Sequence, residues 1–211
     1  AQARLKSMGY EDVAILDGGM SAWASAGYEV FSGLNAPSKA LGVFVAKELA
    51  IPEVGPDELS KMQARCGNIR VIDCRPFVEY QRGSIPGAVN APGVELLHRL
   101  AGSQSEGSLV ITCAGRTRGL LGAQTLIDAG VAGPVTALHK GTMGWELSGR
   151  ALEKNAARKF EGLPERQSAP AEIAQHIRDS AGVARADSKS LERWVKDKAR
   201  TTYIFDIRTR G

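Results

Sequence analysis

The pattern Leu16-x-x-Gly19-x-x-x-Trp23-x-x-x-Gly27 returns downstream as Leu138-x-x-Gly141-x-x-x-Trp145-x-x-x-Gly149, all four residues displaced by one interval. Each copy follows a short apolar run, Val13–Leu16 in the first and Val135–Leu138 in the second. A second echo links Val71-Ile72-Asp73-Cys74-Arg75 to Ile204-Phe205-Asp206-Ile207-Arg208. Self-similarity at fixed spacing constrains a fold more than any local propensity, because each repeat has to be one supersecondary unit. The chain therefore divides into the tail of one unit (1–33), a linker (34–53), a complete unit (54–150), a second linker (151–186) and the head of a further unit (187–211). The partial units are too small to bury a core alone. They are expected to leave apolar faces such as Leu16/Trp23 and Ile204/Phe205 uncovered unless docked on the central unit.

Within that frame the elements alternate. Residues 1–9 read as the end of a helix closed by Gly9, Val13–Leu16 as a strand, and Met20–Ala26 as a helix stopped by Gly27. Gly33, Pro37 and Gly42 interrupt the next stretch, and its Leu41–Val45 segment reads as extended. Pro56 and Asp57 suit the first turn of a helix running to about Arg65. Val71–Asp73 is a strand, Pro76 a turn, and Phe77–Gln81 a short helix stopped by Gly83. Ala88–Asn90 is a short strand and Gly93–Ala101 a helix. Leu109–Ile111 is a fully apolar run of the kind a parallel strand buried on both faces carries. A helical pattern from Gly119 to Ala129, strand Val135–Leu138 and helix Met143–Leu147 complete the unit. After the charged, proline-punctuated second linker, with a helix at Ala171–Ser180, Asp187–Ala199 is a helix capped by Asp187 or Ser188. Strands alternating with helices predict an α/β fold with a parallel sheet and helices on both faces.

Composition narrows the function classes. No apolar run is long enough for the roughly 20 residues of a transmembrane helix, so no membrane role is expected. The net charge of +4 is mild and its basic residues form no dense cluster. That points away from nucleic acid and fits small anionic substrates. Cys66, Cys74 and Cys113 are an odd set without a CxxC, so neither a disulfide framework nor a metal site is expected, and a reducing, cytoplasmic setting fits. His98, His139 and His176 stand isolated and read as surface or packing residues. The chain opens on Ala1 rather than Met, so its true N-terminus is expected upstream. Gly119-x-x-Gly122 lacks the remaining glycine and the downstream acid of a dinucleotide site, and no cofactor is expected.

One stretch carries chemistry: Ser108-Leu-Val-Ile-Thr-Cys113-Ala-Gly-Arg116-Thr-Arg118-Gly119. A buried strand delivers a single cysteine to a tight turn at the start of a helix. Unpaired backbone N–H groups and the positive end of the helix dipole favour a thiolate there. Successive N–H groups from Ala114 to Gly119 can form an anion cradle. Gly115 lets the turn fold tightly, and Thr117 belongs to the same turn. Arg116 and Arg118 supply positive charge and forked donors suited to sulfonate-like oxygens, with Arg118 the stronger candidate because it closes the loop. Asp73 and Arg75, at a strand end, read as a structural ion pair holding loops. Cys74, following Asp73 in the strand, and Cys66, at a helix end, read as packing or surface residues. Trp23 and Trp145 read as packing residues too.

These motifs bear a resemblance. Val71-Ile-Asp73-x-Arg75, Glu79-Tyr80-x-x-Gly83-x-Ile85-Pro86-Gly87-Ala88, Val110-Ile-x-Cys113-x-Gly115-x-x-Arg118 and Leu138-x-x-Gly141-x-x-x-Trp145 together resemble a rhodanese domain over residues 54–150. Ser84 departs from the histidine usual there, and Lys140 stands where the first copy has Gly18. Gly33-x-Asn35-x-Pro37-Ser38-Lys39 resembles the joint of tandem rhodaneses. The resemblance implies a five-stranded parallel sheet flanked by partial copies of the same fold, which would touch the central copy. It also implies a sulfurtransferase in which Cys113 takes sulfur from thiosulfate or a small persulfide and passes it to cyanide, a thiol or a protein cysteine. Two rivals share the fold: a non-catalytic interaction module, and a dual-specificity phosphatase. The phosphatase signature has a longer Cys–Arg loop, whereas only Ala114 to Thr117 lie between Cys113 and Arg118 here.

Overall fold

The computed structural model describes residues 2–28, 30, 36–65, 68–100, 107–160 and 168–205. The chain divides into two compact units, residues 1–40 and 41–211. In the first, α1 (Gln2–Ser7) and α2 (Gly19–Ser25) flank Val13–Leu16. That segment was expected to be a strand and is not one, because the unit offers it no other described strand to pair with and unpaired extended backbone gains nothing. Gly9 and Gly27 adopt the positive φ that ends each helix. Leu16 and Trp23 are exposed.

A helix, α3 (Ala36–Glu48), replaces the extended segment and much of the first linker. The two residues read as breakers have other roles. Pro37 sits in the first turn, where its missing N–H costs nothing. Gly42 sits where a Cβ would lie 2.5 Å from the Thr117 hydroxyl, so it permits close packing. Ala46 and Ile51 enter the core. Gly33 and Asn35 lie outside the described residues.

The complete unit runs β1 (Glu53–Val54), α4 (Pro56–Ala64), β2 (Ile69–Asp73), α5 (Phe77–Arg82) and β3 (Val89–Asn90). A 3₁₀ turn (Gly93–Glu95), α6 (Leu96–Leu100), β4 (Ser108–Thr112), α7 (Thr117–Asp128), β5 (Val135–Leu138) and α8 (Gly141–Leu147) follow. The five strands form one parallel sheet in the order β1-β5-β4-β2-β3. The mixed α/β architecture is the one expected. Strand β1 straddles the expected boundary between linker and unit and shows in no sequence pattern; two residues carry no periodicity, and only pairing with β5 defines it.

Alternation along the strands divides the core. Ile72, Cys74, Leu109, Ile111 and Cys113 pack with Leu96, Leu120, Ala123 and Leu126 on one face. Val71, Val110 and Leu138 pack with Leu59, Tyr80, Ile85 and Trp145 on the other. Each such Leu or Ile contributes roughly 1.5–3 kcal/mol by leaving water. Asp73 is fully buried and holds Arg75 by two-pronged bonds, Nε to Oδ1 at 2.9 Å and Nη2 to Oδ2 at 2.6 Å. Arg75 Nη2 also donates to the Gly83 carbonyl at 2.6 Å. Asn90 Nδ2 donates to the carbonyls of Asp73 and Arg75, tying β3 to the same corner.

The second linker, too, starts later than expected. Residues 151–160 strap across the unit: Ser84 and Glu153 exchange two backbone hydrogen bonds of 2.9 Å, and the Asn90 N–H donates to Arg158 O at 2.9 Å. Trp145 Nε1 donates to Ala151 O at 3.0 Å, and Ala156 of the strap is itself buried. Trp145 is buried while its counterpart Trp23 is exposed. Beyond lie α9 (Ser168–Ser180) and α10 (Ser188–Lys196), the latter capped by Asp187 Oδ1 accepting from the Ser190 N–H at 2.8 Å. Ile204 and Phe205 are exposed and form no strand, and Asp206–Arg208 lie outside the described residues.

Ser84 is buried with its hydroxyl unpartnered among the described residues. Ser84→Ala is expected to raise stability by about 1 kcal/mol, since it removes a desolvated donor and no hydrogen bond. The urea midpoint should rise at unchanged slope; a fall of that size would mean the hydroxyl is bonded.

Candidate active site

Strand β4 ends at Thr112, and the chain turns through Cys113–Arg116 before α7 begins at Thr117. The Cys113 side chain thus sits at the N-terminus of a twelve-residue helix whose N-cap residue, Arg116, supplies no side-chain cap. The Gly115 and Gly119 backbone N–H groups donate to its sulfur. A Cβ on Gly119 would lie 3.6 Å from Cys113 Sγ, an ordinary contact.

The loop carbonyls are held away from the sulfur. The Thr142 N–H donates to Cys113 O at 2.8 Å and the Met143 N–H to Ala114 O at 3.0 Å. These are first-turn groups of α8, which lack helical partners of their own. Gly141 makes this approach possible, because a Cβ there would lie 2.2 Å from Cys113 O. The glycine shared by both copies of the repeat is therefore where α8 meets the loop. Lys140, at φ 58°, adopts the same left-handed region as Gly18, at 66°, in the first copy.

Both loop arginines are engaged by carboxylates. Arg116 Nη2 donates to Glu53 Oε1 at 2.9 Å, and His139 Nδ1 lies 2.9 Å from Glu53 Oε2. Arg118 grips Glu79 with two bonds of 2.9 Å. That pair is half-exposed, holds the Glu79 carboxyl below its usual range and keeps Arg118 charged. Carboxylates thus hold both guanidiniums, and the Arg118 charge lowers the Cys113 pKa. Asp73 and Arg75 sit one corner away, bracing β2 and the Gly83 turn. Ala114 and Thr117 belong to the loop wall, Thr117 against Gly42.

Cys74 lies where sequence reasoning had placed only packing. It is buried, yet its thiol donates to Cys113 and not merely to the core. This bond is the largest of the causes that lower the Cys113 pKa to about 6; the Gly119 and Gly115 amides and the Arg118 charge add to it against the cost of burial. The Cys74 thiol is pushed up in turn, by donating to Cys113 and by burial. The signal was present in the sequence as phase: Cys74 follows Ile72 by two residues and Cys113 follows Ile111 by two, so both point to one face. What sequence lacked was the pairing of β2 with β4. Glu53 and Glu79 were missed as charge partners for the same reason. Cys66 lies outside the described residues.

The thiolate state makes a pH prediction. With the folded pKa near 6, alkylation of Cys113 should climb as pH rises through 6 and level off above it. Because the folded value is below the unfolded one, ionisation also stabilises the fold above the unfolded pKa, and that contribution is lost as pH falls through about 6. Cys74→Ala removes the main donor, so the alkylation midpoint should move up toward the ordinary thiol value of about 8.5. An unmoved midpoint would leave the loop amides as the whole cause.

Comparison with known proteins is consistent with this geometry. Residues 55–148 match the model of the rhodanese-like domain. A crystal structure of thiosulfate sulfurtransferase from Pseudomonas aeruginosa superposes with a TM-score of 0.75 at 41% identity, over 99% of this chain and 40% of that one. The HTH-type transcriptional regulator Rv0324 of Mycobacterium tuberculosis is 31% identical over 117 residues, 55% of this chain and 52% of the regulator. The chain thus spans about half the length of the regulator and less of the sulfurtransferase. Among the described residues no helix is long and apolar enough to cross a membrane.

Proposed function

Since residues 55–148 match the rhodanese-like domain, we propose that the chain is a sulfurtransferase whose sulfur carrier is Cys113. The observation that carries this reading is a buried cysteine lowered to about 6 at a helix start, with two loop amides aimed at its sulfur. The thiolate attacks the outer sulfur of thiosulfate or a small persulfide, and sulfite or thiolate departs. The outer sulfur, now on Cys113, carries the negative charge and sits within the loop of Ala114, Gly115, Arg116, Thr117, Arg118 and Gly119, whose amides and positive field stabilise it. A thiophilic acceptor, cyanide or a thiol, then removes it. A non-catalytic module has no use for an ionised cysteine, which is why the catalytic reading is preferred. The short Cys113–Arg118 loop fits one sulfur better than a phosphoryl group.

Brief exposure to thiosulfate in the cold, with no acceptor present, should make the Cys113 peptide one sulfur heavier, and cyanide should remove that mass as thiocyanate. A Cys113 peptide of unchanged mass would sink the reading.

A further inference from the structure

We propose that Cys74 is a resolving cysteine, which attacks the sulfur-loaded Cys113, closes a Cys74–Cys113 disulfide and expels the outer sulfur as hydrosulfide. This gives the site a second activity, reductive release of sulfide from sulfane sulfur at the expense of a dithiol, and it rests on the Cys113 persulfide proposed above.

The sheet register supplies the geometry. Asp73 pairs with Thr112, and the next residue on each strand is a cysteine. The Cys74 N–H donates to Thr112 O at 2.9 Å, so the ladder continues to that point. Both side chains fall on the face covered by α7. A Cβ on Gly119 would lie 3.6 Å from Cys113 Sγ and one on Gly122 4.0 Å from the Cys74 Cβ, so adjacent turns of α7 pack directly on the two cysteines. Adjacent strands run about 4.8 Å apart, inside the roughly 4.4–6.8 Å Cα separation that a disulfide spans. Both cysteines are unbridged and buried.

The step balances without an outside oxidant. Cys74 Sγ bonds to Cys113 Sγ, the bond from Cys113 Sγ to the outer sulfur breaks, and the Cys74 proton leaves on that sulfur. The outer sulfur gains two electrons and the two cysteine sulfurs lose them; a small dithiol later reduces the disulfide by exchange. The order of events is built in. While Cys113 is a bare thiolate, Cys74 holds its proton as a donor. Loading shifts that charge to the outer sulfur, and Cys74 is released to react.

The test uses the full 211-residue chain, reduced, freed of reductant and given one equivalent of thiosulfate with no acceptor. Wild type should load transiently, then release close to one sulfide per chain and yield a linked Cys74–Cys113 peptide on a non-reducing map. Cys74→Ser keeps a hydroxyl donor beside Cys113, so it should load but hold its sulfur, releasing at least tenfold less sulfide. A wild-type adduct as long-lived as the variant's, or a link from Cys113 to Cys66, overturns the proposal. A second arm places a methylthio group on Cys113 with one equivalent of a methanethiosulfonate. Methanethiol release with the same link, where thiosulfate never loads, overturns the sulfur-transfer reading and leaves Cys74 as the partner of Cys113. A methylthio group that stays on Cys113 overturns the pairing whatever thiosulfate does.

Discussion

Cys113→Ser should lower thiosulfate:cyanide transfer by about a thousandfold or more, the scale expected when a covalent carrier is removed. A serine hydroxyl stays protonated in this cradle, and an oxygen cannot hold the transferred sulfur as a persulfide does. The substitution is close to isosteric at a buried position, and the hydroxyl oxygen can accept from the same Gly115 and Gly119 amides. The fold should therefore survive, with a thermal midpoint within a few degrees of wild type as the control. A variant that keeps more than a tenth of the rate would show that another group carries the sulfur.

Asp73→Ala should be the most destabilising single change, at about 3–5 kcal/mol, because it strands the Arg75 guanidinium in a site with almost no water. Arg75 would keep only the Gly83 carbonyl as an acceptor. Chemical unfolding at neutral pH measures the cost. Replacing both partners, as Asp73→Ala with Arg75→Met, should recover part of it, since no charge is then left buried. A single-variant cost below about 1 kcal/mol would mean water reaches the corner and the pair matters little.

The parts legible in the sequence were those written in contiguous residues. Val71–Asp73, Leu109–Ile111 and Val135–Leu138 announce strands by apolar runs between turn residues, and each is a strand. Cys113 and its loop are likewise one continuous phrase. What stayed hidden depends on pieces far apart in the chain. Glu53 reaches Arg116 and His139 only because β1 joins β5, and Glu79 reaches Arg118 only because α5 packs near the start of α7. Cys74 meets Cys113 because β2 and β4 are neighbours, a fact of strand order that no local pattern encodes. Helix α3 is hidden in the sequence because proline and glycine more often punctuate a chain, whereas here one starts the helix and the other lets it approach Thr117.

That approach bears on how the molecule may be cut. The match to the rhodanese-like domain model begins at residue 55, yet Gly42 walls the first residue of α7 and Glu53 bonds Arg116 and His139 from upstream of that point. A piece excised where the likeness starts would keep every signature residue and lose the ground they rest on. The smallest portion able to stand in for the whole begins ahead of Gly42, so the shared signature and the mechanics draw this boundary at different places.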